Sequence, residues 1–193
     1  NPPETCKAEL YTLPDPNAFG PRGIDVDRDG VIWTALSGSG GFASLDRRKC
    51  KVFSGPEMVD GQQCAEGWTI YPLTVGPKMR GTDYNADFHY YNWVDQFNTS
   101  GLGPNLPILN GSGSDSLRVL KPDTKEWVTL RVPYPMGFFS RGLDGRIDDV
   151  KTGWKGRGLW ANYGTNFVWH TEGGKGTTSK MVHFQVRPDP LAR

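Results

Sequence analysis

Two residues in the last part of the chain, His170 and Glu172, have the types and spacing that acid–base chemistry needs. In an extended segment, side chains at positions i and i+2 point to the same side. A histidine and a carboxylate placed together can serve one ligand as general base and carboxylate partner. We therefore take them as the candidate catalytic pair. The alternative interpretation is a solvated loop before the Gly173-Gly174 turn.

A second candidate site is the acidic run Asp25, Asp27 and Asp29, which Gly30 follows. Carboxylates on alternate residues, with a glycine that permits a sharp turn, form the first half of a calcium loop. An EF-hand would need glutamate where this chain has Leu36, so the run is not an EF-hand. It predicts either a non-helical calcium site or an Asp/Gly-rich hairpin turn between two strands.

Two arginines, Arg22 and Arg141, each open a segment with the pattern Arg-Gly-[Ile/Leu]-Asp, which ends at Asp25 or Asp144. If these segments are inner strands of repeated sheets, their polar side chains line a central channel and bind a small anion or ordered waters. His89, in a run of aromatic and polar residues, is a further candidate for ligand binding. The alternative is a ladder of salt bridges between neighbouring sheets.

The composition argues against several classes of partner. The 193 residues carry a formal net charge of +1, which gives no reason to expect nucleic acid or an anionic membrane. No apolar run approaches the roughly 18 residues that a membrane-spanning helix needs. Many glycines and prolines, 25 and 15, together with 12% aromatic residues, are typical of an all-β protein with frequent turns.

Three cysteines are present, Cys6, Cys50 and Cys64, and no pair has C-x-x-C spacing. A disulfide between Cys50 and Cys64 would close a loop of about 14 residues and stabilise the fold by about 3 kcal/mol. We predict this disulfide and, with it, an exported protein. The alternative is that all three are buried thiols. Under the disulfide interpretation Cys6 lacks a partner, which suggests that part of the chain is missing.

Short strands bounded by Gly, Pro or Asp must position these residues, since no segment keeps a helical period. After a strand at 7–13, we expect strands near 22–26 and 31–36, then an antiparallel pair at 42–46 and 50–53. These four strands form one antiparallel unit.

Parts of this unit recur along the chain. Trp93 and Trp160 are interpreted as counterparts of Trp33 in the second strand, and they follow at intervals of 60 and 67 residues. The segment 116–130 repeats the third and fourth strands, and the segment 181–186 repeats the third strand. A four-stranded unit at such intervals is typical of a β-propeller with loop insertions. The insertion at about 55–92 includes a first strand of the next blade, expected near 69–71.

We therefore predict an all-β chain of about three four-stranded antiparallel blades. Residues 1–16 would supply the outer strand of a preceding blade, 17–56 a blade, 57–135 a blade with a long insertion, and 136–193 a blade without its outer strand. Closed propellers have about 4–8 blades. We therefore expect the remaining blades elsewhere in the same chain or in other subunits.

Three motifs carry a family resemblance: Pro-Arg-Gly-Ile-Asp at 21–25 leading to Trp33, Leu-Lys-Pro-Asp at 120–123, and Tyr-Thr-Leu-Pro at 11–14. They resemble the blades of the virginiamycin B lyase-like, or streptogramin lyase-like, propellers. The resemblance implies about seven blades in the whole propeller and a periplasmic or secreted location. The lyases use a His and Glu pair with magnesium. Here the only similar arrangement, His-Thr-Glu at 170–172, runs in the reverse order.

The leading functional prediction is an exported propeller that binds a small molecule or a protein, or acts as a scaffold, within a larger chain or assembly. The alternative is a magnesium-dependent carbon–oxygen lyase of the streptogramin lyase type.

Overall fold

The structure is a computed structural model of the 193-residue chain, and it describes residues 8–132, 138, 140–163 and 180–193. The described residues contain eleven strands in three antiparallel sheets. Their helical turns are all short 3-10 segments, namely Arg47–Lys49, Pro56–Met58, Ala65–Gly67 and Val150–Gly156. In this part of the chain no helix is long and apolar enough to cross a membrane.

The first sheet contains four strands in chain order: β1 (Pro21–Val26), β2 (Ile32–Leu36), β3 (Gly41–Leu45) and β4 (Trp68–Pro72). Our prediction of its fourth strand at 50–53 is wrong.

The outer strand is instead β4, which pairs with β3 from Leu45↔Trp68 to Gly41↔Pro72. The strand expected near 69–71 thus belongs to the first sheet, which extends past residue 56. The cause is local: the Asp46 side chain accepts a hydrogen bond from the Arg48 backbone N–H and caps a 3-10 turn. This turn leads the chain away from the edge of β3.

The second sheet contains β5 (Asn92–Asp95), β6 (Leu106–Gly111), β7 (Ser116–Lys121) and β8 (Glu126–Arg131). The predicted hairpin at 116–130 is confirmed as β7 and β8. The interpretation of Trp93 as a second-strand residue is wrong, because Trp93 lies in the first strand of this sheet and pairs with Ile108 of the second strand. All six residues of β6 are buried. An apolar strand without a tryptophan therefore occupies the second place, and it carries no landmark in the sequence.

The third sheet contains β9 (Leu143–Ile147), β10 (Arg157–Tyr163) and β11 (Lys180–Phe184), with β10 in the middle. The predicted third strand near 181–186 is present as β11. Trp160 lies in the second strand, as Trp33 does.

The three sheets pack face to face, with their first strands side by side: β1 contacts β5, and β5 contacts β9. Apolar residues fill both interfaces. The first interface buries Trp33, Phe42, Val94, Leu109 and Leu120, and the second buries Leu106, Ile108, Leu117, Val119, Phe138, Leu143 and Leu159. Sheets arranged in this way form part of an all-β propeller, as the sequence predicted.

The outward face of the first sheet is covered by the chain itself. Leu13 and Ala18 pack against Leu36 and Ala43 of this sheet. Residues 8–13 belong to no strand, so the described part of the strand expected at 7–13 is not found. Instead, the Thr12 backbone N–H donates to the carbonyl oxygen of Gly61 at 2.9 Å.

Gly61 lies in the loop that connects β3 and β4. The predicted Cys50–Cys64 disulfide closes this loop, and the two cysteines are 14 positions apart. Cys6 lies outside the described residues.

Candidate functional site

Two arginines from different sheets converge on one aromatic ring. Arg22 lies in β1, Tyr90 just precedes β5, and Arg141 just precedes β9. The guanidinium carbons of Arg22 and Arg141 each lie 5.0 Å from the centre of the Tyr90 ring. The Arg22 guanidinium also lies 5.5 Å from the centre of the Phe88 ring. The inner strands thus bring together the two arginines that the sequence placed at a central channel.

Two positive charges lie beside the aromatic rings of this cluster. Both arginine residues are exposed, and Tyr90 and Phe88 are partly buried. A cation above an aromatic ring gains about 0.5–1 kcal/mol at an exposed site. The two guanidiniums repel each other, since each lies within about 5 Å of the same ring centre. The cluster thus holds two like charges beside one aromatic ring.

Asp25 and Asp144 line a groove of about 410 Å³ along the inner strands, together with Tyr91 and Trp93. One carboxylate oxygen of Asp25 accepts a hydrogen bond from the Val94 backbone N–H at 2.7 Å. Among the ion pairs of the described residues, none involves Asp25 or Asp144. The predicted alternative, a ladder of salt bridges between sheets, is therefore not found in this part of the chain.

The acidic run between β1 and β2 forms a hairpin turn. Asp27 is buried and accepts hydrogen bonds from the Trp33 indole N–H and from the backbone N–H groups of Asp29 and Val31, each at 2.9 Å. Asp29 instead accepts a hydrogen bond from the Asn105 side-chain amide at 3.1 Å. Asp25, Asp27 and Asp29 thus serve separate donors. Among the described residues, no group of three His, Cys, Asp or Glu side chains could hold a metal ion.

His89 is fully buried. Its Nδ1 atom lies 2.7 Å from the carbonyl oxygen of Asn110, and because a carbonyl only accepts, Nδ1 carries the proton. Its Nε2 atom has no hydrogen-bond partner among the described residues. Burial lowers the pKa of His89, which favours the neutral ring. The structure thus places His89 beneath the surface that carries Tyr90, where it holds the backbone to the second sheet.

A buried ion pair beside His89 was missed at the sequence level. The Arg118 guanidinium of β7 donates to the Asp87 carboxylate at 3.0 Å, and the two side chains are almost wholly buried. Arg118 also donates to the hydroxyl groups of Ser114, at 2.8 Å, and Thr129. In the sequence, this ion pair was indicated only by one charged residue within the apolar strand Ser-Leu-Arg-Val-Leu.

Tyr90 and Phe88 were also missed as members of the arginine cluster. The sequence indicated them only through the aromatic run around His89, in which Tyr90 was considered as part of a sugar- or partner-binding platform and not as a neighbour of the arginines. The predicted catalytic pair, His170 and Glu172, lies outside the described residues.

Comparisons with known proteins show the fold. No protein-family model and no curated protein sequence matches the chain. A streptogramin B lyase structure matches with a TM-score of 0.50 and 15% identity, over 93% of this chain and 44% of that one. A selenomethionine-substituted virginiamycin B lyase from Staphylococcus aureus matches with a TM-score of 0.50 and 13% identity, over 93% and 45%. The chain thus spans less than half the length of these structures, and its fold is similar to part of the streptogramin B lyase propeller.

Proposed function

We propose that this chain is part of a β-propeller that binds an anionic ligand at the end of its inner strands, between Arg22 and Arg141. The single observation that supports it most is the position of both guanidiniums, each 5.0 Å from the centre of the Tyr90 ring. A carboxylate or phosphate group suits this place, because the planar arginine fork donates paired hydrogen bonds to both.

The buried residues behind Tyr90 support binding by fixing the ring in place. Tyr90 lies between His89 and β5, and Asp87 ties the same segment to Arg118 of the second sheet. The Tyr91 backbone N–H donates to the Asn110 side chain at 3.0 Å. A segment held at several points loses little conformational freedom when a ligand binds, which favours affinity.

The proposal includes export from the cytoplasm and membership of a larger propeller. The disulfide between Cys50 and Cys64 suits an oxidising compartment. The similar lyase structures are more than twice as long as this chain. Further blades would complete the ring of inner strands around the ligand.

The test is calorimetric titration of the native protein with inorganic phosphate and with malonate, at low and at physiological salt. The variants are Arg22→Gln and Arg141→Gln, and the control is Arg146→Gln, which removes an exposed charge from β9. We expect each test variant to weaken binding by about tenfold or more, since a charged hydrogen bond contributes roughly 1.5–3 kcal/mol. The control should bind as the native protein does. No binding, or equal losses in all three variants, would contradict the proposal.

A second candidate function is the lyase activity, which the likeness to streptogramin B lyase structures favours. Incubation of the native protein with a streptogramin B antibiotic and magnesium, followed by mass spectrometry, tests it directly. Ring opening that stops when magnesium is chelated would support the lyase over the binding module. An unchanged antibiotic would leave the binding proposal as the stronger one.

A further inference from the structure

A pocket of about 320 Å³ lies between the second and third sheets, at the end of the inner strands opposite to Arg22 and Arg141. Three connections line it: the loop that follows β5, the 3-10 segment Val150–Gly156 between β9 and β10, and the residues that follow β11. Arg141 precedes β9 and this 3-10 segment follows it, so the length of the strand separates the two places. Ligand pockets begin at about 300 Å³, so this one has room for a small molecule.

Arg157, the first residue of β10, contributes a guanidinium to this pocket. Its Nη1 atom donates to the carbonyl oxygen of Asn98, in the loop after β5, at 3.3 Å. Its Nε atom is buried and has no hydrogen-bond partner among the described residues. A buried donor without an acceptor is unfavourable. Arg157 is therefore held in place by one bond and favours a ligand that accepts from its other N–H groups.

A second guanidinium belongs to Arg187, which follows β11. Its central carbon lies 5.6 Å from the centre of the Trp154 ring, and the Lys155 ammonium lies 6.0 Å from the same centre. Contact with an aromatic ring orients a cation without neutralising it. Among the ion pairs of the described residues, none involves Lys155, Arg157 or Arg187. The pocket thus concentrates positive charge for which this part of the chain supplies no ion-pair partner.

The acidic residues of the neighbouring turn serve other donors. The Asp148 carboxylate pairs with Arg146 at 2.9 Å. The Asp149 side chain accepts the Lys151 backbone N–H at 2.9 Å and caps the 3-10 segment. Neither aspartate is among the described residues that line the pocket. An anion that enters therefore meets no carboxylate on these walls.

We propose that this pocket binds a small organic carboxylate, at a site separate from the arginine cluster around Tyr90. The carboxylate accepts from Arg157 and Arg187, because a planar guanidinium presents paired donors that match two carboxylate oxygens. The apolar body of the ligand packs against Trp154 and Val186, which line the same pocket. A bare inorganic ion would leave these apolar walls unused. The inference does not depend on anion binding at the arginine cluster.

Calorimetric titration of the native protein with benzoate tests the charge and the apolar body together. Benzamide has the same ring without the charge, and acetate and phosphate have charge without the ring. We expect benzoate to bind at least about tenfold more tightly than each of them. Equal affinity for acetate or phosphate would overturn the role of the apolar walls, and equal affinity for benzamide would overturn the role of the arginines. No binding of benzoate would overturn the proposal as a whole.

Variants show where benzoate binds. Arg187→Gln and Trp154→Leu should each weaken its binding by at least about fivefold. Arg187 is exposed, so its substitution should leave the Tm unchanged. The control Lys151→Gln removes an exposed charge from the same 3-10 segment, outside the pocket, and should bind benzoate as the native protein does. Equal losses in Arg187→Gln and Lys151→Gln would contradict a specific site.

The variant Arg22→Gln separates this site from the arginine cluster. It should bind benzoate in this pocket as the native protein does. Benzoate binding that is lost in Arg22→Gln and retained in Arg187→Gln would place the ligand at the cluster and overturn this inference. Binding that is lost in Arg187→Gln alone would support it, even if the cluster itself binds neither phosphate nor malonate.

Discussion

The guanidinium of Arg118 donates to the carboxylate of Asp87 at 3.0 Å in a place from which water is almost wholly excluded. The ion pair joins β7 of the second sheet to the segment that carries Tyr90. The arginine cluster at the surface therefore depends on a charged contact beneath it.

Breaking this buried ion pair should destabilise the protein strongly. Arg118→Leu leaves the Asp87 carboxylate buried without its cation, and such a loss typically costs about 3–5 kcal/mol. The free energy of unfolding from urea denaturation measures it. As the control, Arg146→Leu breaks the exposed pair with Asp148, which should cost less than about 1 kcal/mol.

A double variant sharpens this prediction. Arg118→Leu combined with Asp87→Leu removes both charges, so it should be more stable than Arg118→Leu alone. If the second substitution adds a further loss instead, desolvation of an unpaired carboxylate is not the cause of the effect.

The stability of the protein should fall as the pH decreases through about 6.5, the ordinary pKa of histidine. Burial lowers the pKa of His89, and the positive charge of Arg118 acts in the same direction, against the Asn110 carbonyl and Asp87. The unfolded chain therefore takes up the proton first. The free energy of unfolding then decreases by at most about 1.4 kcal/mol per pH unit until the folded ring is also protonated.

The comparison of two glutamine variants isolates this effect. His89→Gln should flatten the dependence of the unfolding free energy on pH between about pH 5 and 7. His183→Gln, at an exposed position of β11, should leave it unchanged. Equal slopes for the native protein and His89→Gln would show that another group is responsible.

The local parts of this fold could be predicted from the sequence. Strands could be predicted at the Arg-Gly-[Ile/Leu]-Asp segments and at the hairpin 116–130. In each case the alternating strand pattern and the turn residues lie within a few positions of each other in the sequence. The place of β4 could not be predicted in this way. Its partner β3 lies on the other side of a long loop, and strand pairing across such a loop is determined by tertiary packing.

The candidate site could also be predicted only where it depends on a local sequence pattern. Arg22 and Arg141 could be found because they repeat one motif, and the repeat implies equivalent positions on inner strands. Tyr90 has no counterpart in that motif. Its position beside both arginines depends on how Asp87 and His89 anchor a connection to the second sheet, and these contacts join segments far apart in sequence.

Reduction of the Cys50–Cys64 disulfide should release the segment at 8–13. The disulfide joins cysteines 14 positions apart, and loss of such a link costs about 3 kcal/mol in the chain-entropy model. The loop holds the segment through Gly61, which accepts from the Thr12 N–H, and Gln63, whose side chain donates to the Leu10 carbonyl at 2.8 Å.

Hydrogen exchange of the variant Cys50→Ser/Cys64→Ser provides the measurement. The Thr12 amide should exchange much faster than in the native protein. The exchange rate of the Val94 amide, which is hydrogen-bonded to the Asp25 carboxylate, should increase far less. Equal acceleration at both amides would indicate a global loss of stability, in which the loop has no local role.

The packing of the second sheet against the third requires a glycine at position 145. A Cβ atom there would lie 2.5 Å from the Trp93 ring and 3.0 Å from Leu159. Gly145→Ala should therefore lower the free energy of unfolding by about 1–3 kcal/mol. At Gly142 a Cβ would have no neighbour closer than 3.4 Å, so Gly142→Ala is the matched control and should have a small effect. Trp93→Leu removes the ring, so adding Gly145→Ala to it should cost less than Gly145→Ala alone. If the two losses simply add, the Trp93 ring does not contact position 145, and β5 packs against β9 in a different way.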